Sequence, residues 1–168
     1  MQRIVVIGLI LWIAGSFALL KADDGFIAFR VYYPLQRSML SYHVPEAMSK
    51  AVKNSREWTA LWHEIGSHSA AAGEESGWTR EAPEIDFENY TLLVVASGAR
   101  PSGGYSVALQ SVRESESHVE VVAFELRPLG RKCTAIAVVT YPVAFALIPH
   151  TSKPVRFTIQ QADLTCEQ

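Results

Sequence analysis

The chain has 168 residues, 49% of them hydrophobic and 19% charged, a size and composition that suit one globular domain. A net charge of -2 and a pI near 6.2 exclude the basic surface that a nucleic-acid binder needs.

Met1-Gln2-Arg3, the apolar run Ile4 to Leu20 and Lys21-Ala22 have the charged, apolar and small-residue regions of a secretory signal peptide. Cleavage after Ala18 or Ala22 fits, and Ala22 is preferred because it leaves an acidic mature terminus. The alternative is a retained signal anchor, since 17 apolar residues approach the lower limit for spanning a bilayer. Either way residues 23–168 are expected outside the cytoplasm, as a periplasmic, cell-surface or secreted single domain. A membrane partner is expected only if residues 1–22 are retained. In such a compartment Cys133 and Cys166, the sole cysteines, are expected to form one disulfide tying the C-terminal tail to the body.

Phe26 to Tyr33 predicts a first strand ended by Pro34, and Met39 to Val44 a second short extended piece. A helix follows over about residues 55–65. Asn54 with Glu57 three residues later resembles a capping box, Gly66 supplies the stop, and Trp58, Leu61, Trp62 and Ile65 recur at i, i+3, i+4 and i+7 as one apolar face. Such a face is core that packs onto a sheet. His63 and His68 stand five residues apart, which points their rings about 140° apart on a helix, so no metal site is expected there. Ser67 to Pro83 reads as a surface loop.

Tyr90 to Ala96 is nearly all apolar and rich in β-branched residues, the pattern of a strand buried on both faces. Tyr105, Val107 and Leu109 fall on one face of the next strand. Between them lies Gly98-Ala99-Arg100-Pro101-Ser102-Gly103-Gly104-Tyr105-Ser106. Two readings stand: a plain turn that uses Gly103 and Gly104 for positive φ, or a binding loop in which Arg100, Ser102 and Tyr105 serve recognition. A phosphate loop is excluded, because Gly104-Tyr105 stands where Lys and Ser/Thr would be required.

Val107 to Arg113 and His118 to Leu126 predict a hairpin across Glu114 to Ser117, followed by a basic loop from Arg127 to Lys132. Thr134 to Tyr141 is again a nearly continuous apolar stretch, broken by Pro142. Val143 to Ile148 and Pro154 to Gln160 supply the last two strands. The fold expected is mainly β: a β-sandwich or partly open barrel of about 6–8 strands with one short packed helix. The five histidines share no spacing and no nucleophile elbow occurs, so neither catalysis nor a cofactor or metal is expected.

Arg100-Pro101-Ser102-Gly103-Gly104-Tyr105-Ser106 after a buried strand, Asp86-Phe87 before it, Glu57-Trp58-Thr59-Ala60-Leu61-Trp62 and a late Tyr141-Pro142 together resemble the PrcB C-terminal domain family, over about residues 54–158. Ser102 stands where that family usually has Thr, which keeps the hydroxyl. The resemblance implies an exported, non-enzymatic protein-binding domain, an accessory or assembly subunit of a protease or envelope complex. Its partner would be a protein such as a secreted or surface protease, met through Arg100, Pro101, Ser102, Gly103, Gly104 and Tyr105. Pro101, Ser102, Gly104 and Tyr105 also resemble a loop of chagasin-like inhibitors of papain-type proteases, with Arg127-Pro128-Leu129 as the nearest counterpart of their second loop. A purely structural envelope domain is the third reading.

Overall fold

The computed structural model describes residues 25–32, 42–66, 81–129 and 135–165. The N-terminal apolar segment, the Cys133–Cys166 pair, His68 and most of the Ser67 to Pro83 loop lie outside these residues.

The described residues form seven strands and one helix: β1 (Arg30–Val31), β2 (Met48–Val52), α1 (Ser55–Gly66), β3 (Tyr90–Ala96), β4 (Ser106–Glu114), β5 (Val119–Leu129), β6 (Val143–Pro149) and β7 (Val155–Thr165). They build a four-stranded sheet in the order β1-β6-β3-β2 and a three-stranded sheet in the order β4-β5-β7. All pairings are antiparallel except β5 with β7, which run parallel over eleven residues. The architecture is mainly β, two sheets and one short helix, with no closed barrel.

The layering follows from side-chain alternation. On β3, Leu92, Val94 and Ala96 face α1, where they meet Trp58, Leu61, Trp62 and Ile65 together with Phe145 and Leu147 of β6. The intervening Leu93 and Val95 face the three-stranded sheet and meet Val112, Val119 and Val121, or Val107 and Ala123. β3 is therefore the middle of a helix–sheet–sheet stack, which is why its sequence is apolar without alternation.

Asn54 Oδ1 accepts the Glu57 N–H at 2.9 Å, and Glu57 Oε2 accepts the Lys53 N–H at 3.2 Å, so the predicted cap forms with its return bond one residue earlier. The Trp58 Nε1–H donates to Pro83 O at 2.8 Å, which satisfies the polar edge of a buried ring and pins residues 82–85 beside the helix. Asp86 then accepts from the Glu88 and Asn89 N–H groups and from Asn89 Nδ2, turning the chain into β3.

Three expectations need correction. The first strand is brief because residues 25–32 serve both sheets. Ile27 donates to Val112 O at 2.9 Å and Glu114 to Gly25 O at 2.7 Å, after which Arg30 and Val31 pair with Leu147 and Ala146. Tyr42 and Val44 join no sheet; they are buried against the helix layer, and Met48–Val52 is the strand that pairs with β3. Arg127, Pro128 and Leu129 are not loop but the end of β5, held by pairing with Asp163, Leu164 and Thr165. Residues 135–139 form no strand, because both edges of β3 and the inner edge of β6 are already occupied.

Candidate functional site

At one end of the sandwich the inner face of the three-stranded sheet changes character. Val119, Val121 and Ala123 of β5 point inward, and the same alternation carries Glu125 inward and puts half-buried Arg127 on the same face. Beside them on β7 the sequence passes from Val155 and Phe157 to Gln161 and Asp163. The apolar core stops at Ala123, and polar side chains continue the face toward the 97–105 loop.

Glu125 is only 4% exposed. Its Oε1 accepts from Arg100 Nε, and its Oε2 accepts from Gln161 Nε2 at 3.4 Å. Burial pushes its carboxyl up, but the hydrogen bond and charge of Arg100, with Ser97 and Gln161 nearby, outweigh this and hold it below the usual range. The Ser97 hydroxyl is buried in the same place and makes no well-formed hydrogen bond. Further along, Arg127 meets Asp163 at 2.7 Å in an exposed ion pair.

The loop is tied down on both sides. Arg100 and Thr140 exchange backbone hydrogen bonds of 2.8 and 3.0 Å, Gly103 N donates to Ile136 O at 2.9 Å, and Thr140 Oγ1 donates to Ser102 O at 2.9 Å. From the other direction Ala99 N donates to Pro45 O at 3.1 Å. Gly98 has φ +81°, and a Cβ there would stand 2.8 Å from Ala47 N, so this position requires glycine twice over. Gly104 also has positive φ, whereas Gly103 does not; an added Cβ at Gly103 would instead lie 2.7 Å from Ile136 Cγ1. The expected use of Gly103 is thus replaced by close packing.

The six residues singled out by sequence do lie together, but they face different ways. Arg100 turns inward to Glu125, its guanidinium also lying 6.0 Å from the Tyr105 ring centroid and donating to Ala99 O at 3.0 Å. Tyr105 and Ser102 are half-buried, Gly103 is buried, and Pro101 and Gly104 are exposed. Neighbours that no sequence motif singles out complete the site. Ile136, Val138 and Val139 are 62%, 41% and 50% exposed on the segment bonded to the loop. Glu125 was also missed, although the alternation Val119, Val121, Ala123 carried the signal that placed it inside. No group of three or more His, Cys, Asp or Glu side chains among the described residues could hold a metal ion.

Comparison with known proteins finds one family. Residues 91–149 match the family described as PrcB C-terminal. No protein of curated function and no solved structure matches the chain. The matched stretch starts in β3, contains the whole tethered loop and its Thr140 partner, and ends with β6; α1 and Asp86-Phe87, which also contribute to the resemblance, lie before it. The match over residues 91–149 supports the resemblance to the PrcB C-terminal family.

Proposed function

We propose that this chain is an exported, non-enzymatic protein-binding domain, an accessory subunit of a protease or envelope complex, that meets its partner through the 98–106 loop and the segment bonded to it. One observation carries the reading. The loop is held before any partner arrives, by bonds to Pro45, Ile136 and Thr140 and by the Arg100–Glu125 pair, while Pro101, Gly104, Ile136, Val138 and Val139 face outward. Pre-ordering lowers the entropy that association must overcome, and exposed apolar side chains grouped on fixed backbone are what a partner can bury. In this reading Arg100 acts from beneath as a brace, and Pro101, Ser102 and Tyr105 shape the surface.

A photo-crosslinking residue placed at Ser102 or at Ile136, in the protein expressed in its host, should give one discrete adduct with an exported protein. The same residue at Thr59, on the exposed face of α1, should not. Equal adducts from all three positions, or none from the first two, would defeat the proposal.

A further inference from the structure

β2 is the outer strand of the four-stranded sheet and pairs, among the described residues, with β3 alone. A strand in this position offers half of its backbone N–H and C=O groups to an incoming chain. On the helix side of the sheet, a groove runs between this edge and α1, and it contains two cavities in succession. The first, about 350 Å³, has Met48 and Lys50 of β2 on one wall and Glu64 and Ile65 of α1 on the other. The second, about 330 Å³, has Lys50 and Val52 facing Leu61 and Ala60. The Lys50 Nζ to Glu64 Oε2 ion pair, 3.3 Å long, borders both.

The spacing is informative. Moving from one cavity to the next advances two residues along β2, and two residues is the repeat at which a strand places side chains on one face, about 6.6–6.8 Å. The charge is informative as well. Glu46 lines the first cavity, Glu57 the second, and Glu64, already paired with Lys50, borders both, so the lining carries more carboxylate than cation. Apolar floors with carboxylates above them suit long side chains that lay an aliphatic stem on the floor and reach an acid with a cationic head.

We infer that this groove binds an extended peptide segment as an added strand on β2, with lysine or arginine side chains at alternate positions filling the two cavities. Main-chain hydrogen bonds to the edge supply affinity, and the cavities select the side chains. The groove begins beside the start of the loop described above, since Ala99 is bonded to Pro45 and Gly98 packs on Ala47. It does not depend on that loop for binding.

The test is titration of the ¹⁵N-labelled protein with a capped heptapeptide, Thr-Val-Lys-Val-Lys-Val-Thr. Amide shifts should appear at Met48 to Val52 and on the facing side of α1, with slowed hydrogen exchange in β2. A glutamate-for-lysine peptide should bind at least tenfold more weakly, and a peptide N-methylated at alternate positions should not bind. Ala60→Trp, filling the second cavity from an exposed helix position, and Glu46→Lys, reversing a charge in an exposed loop, should each weaken binding at least tenfold. Tyr105→Ala should leave it unchanged, which separates this site from the loop. Absence of shifts at millimolar peptide, undiminished binding by the N-methylated peptide, or indifference to both groove variants would overturn the inference.

Discussion

Replacing Arg100 by Met removes the charge opposite Glu125 but keeps much of the side-chain volume. A fully buried pair that loses one member costs about 3–5 kcal/mol, and an exposed pair about 0–1. Here the carboxylate is 4% exposed while the arginine side chain keeps 26% of its surface, which puts the cost between these limits, at about 2 kcal/mol. For a chain of this size that corresponds to a fall of about 4–8 °C in Tm. The pH dependence is more diagnostic than the size. In the wild type the folded pKa of Glu125 is lowered, so its contribution is present above the unfolded carboxylate pKa and lost as pH falls through the folded value. In Arg100→Met burial, the largest single influence, is opposed only by Ser97 and Gln161, and the folded pKa rises. The charged form then destabilises the fold, and the variant loses stability as pH rises through the raised value. The gap between wild type and variant should therefore be widest near neutrality and shrink in acid, read by thermal melts from pH 7 to pH 4. Arg100→Met with Glu125→Leu, which removes both charges, should recover most of the loss at pH 7. A gap independent of pH, or no recovery in the double variant, would refute the claim that Glu125 is ionised and braced by Arg100.

Other positions give simpler expectations. Gly98→Ala forces a Cβ into backbone of residues 45–47 at positive φ and should cost about 2 kcal/mol by denaturant titration. Phe145→Ala empties the space between Tyr42 and Trp58, where its ring makes contacts of 5.4 and 6.3 Å centroid to centroid, and should cost about 3–5 kcal/mol by the same measurement. Asn54→Ala removes the side-chain acceptor at the start of α1 and should cost about 1 kcal/mol, with only a small loss of helical circular dichroism.

What could be read from sequence was what local chemistry decides. The cap at Asn54 and Glu57 and the stripe of Trp58, Leu61, Trp62 and Ile65 lie within one segment, and the helix forms as their spacing requires. The unbroken apolar run in β3 revealed burial on both faces, because a strand between two layers has no solvent side. β2 escaped notice because Met-Ser-Lys-Ala-Val has weak strand preference, and its pairing with Leu92 to Ala96 decides its conformation from a distance. Polar Gln160 to Thr165 remain in β7 for a similar reason: β5 supplies a parallel template of eleven residues, and Arg127 pairs with Asp163 across it. The apolar run at residues 135–141 shows the opposite case. Its residues have strand character but no free position beside β3 or β6, so Thr140 bonds to Arg100 instead and Ile136, Val138 and Val139 are left outside.

The same competition for edges explains why the loop and the polar end of the sandwich occur together. Because 25–32 bridges the β4 and β6 edges on one side, the sheets are held together there, and Leu93, Val112, Val119, Val121 and Ile148 can fill the space between them. Beyond Ala123 no strand of the opposite sheet among the described residues continues the apolar layer; the chain leaves β3 at Ser97 and enters the tethered loop. An inward residue on β5 at this point must meet that loop rather than another strand, and the groups available are the polar side chains and backbone of residues 97–105. A carboxylate at Glu125 matched by a guanidinium at Arg100 satisfies the buried position and fixes the loop at once, which an apolar residue at 125 could not do. Glu125→Leu alone should therefore leave the two core clusters intact while releasing Arg100. Hydrogen exchange at the Arg100 and Gly103 amides should rise at least tenfold with no change at Leu93 or Val95. Equal protection of these amides in the variant would mean that the backbone bonds to Ile136 and Thr140 hold the loop without the ion pair.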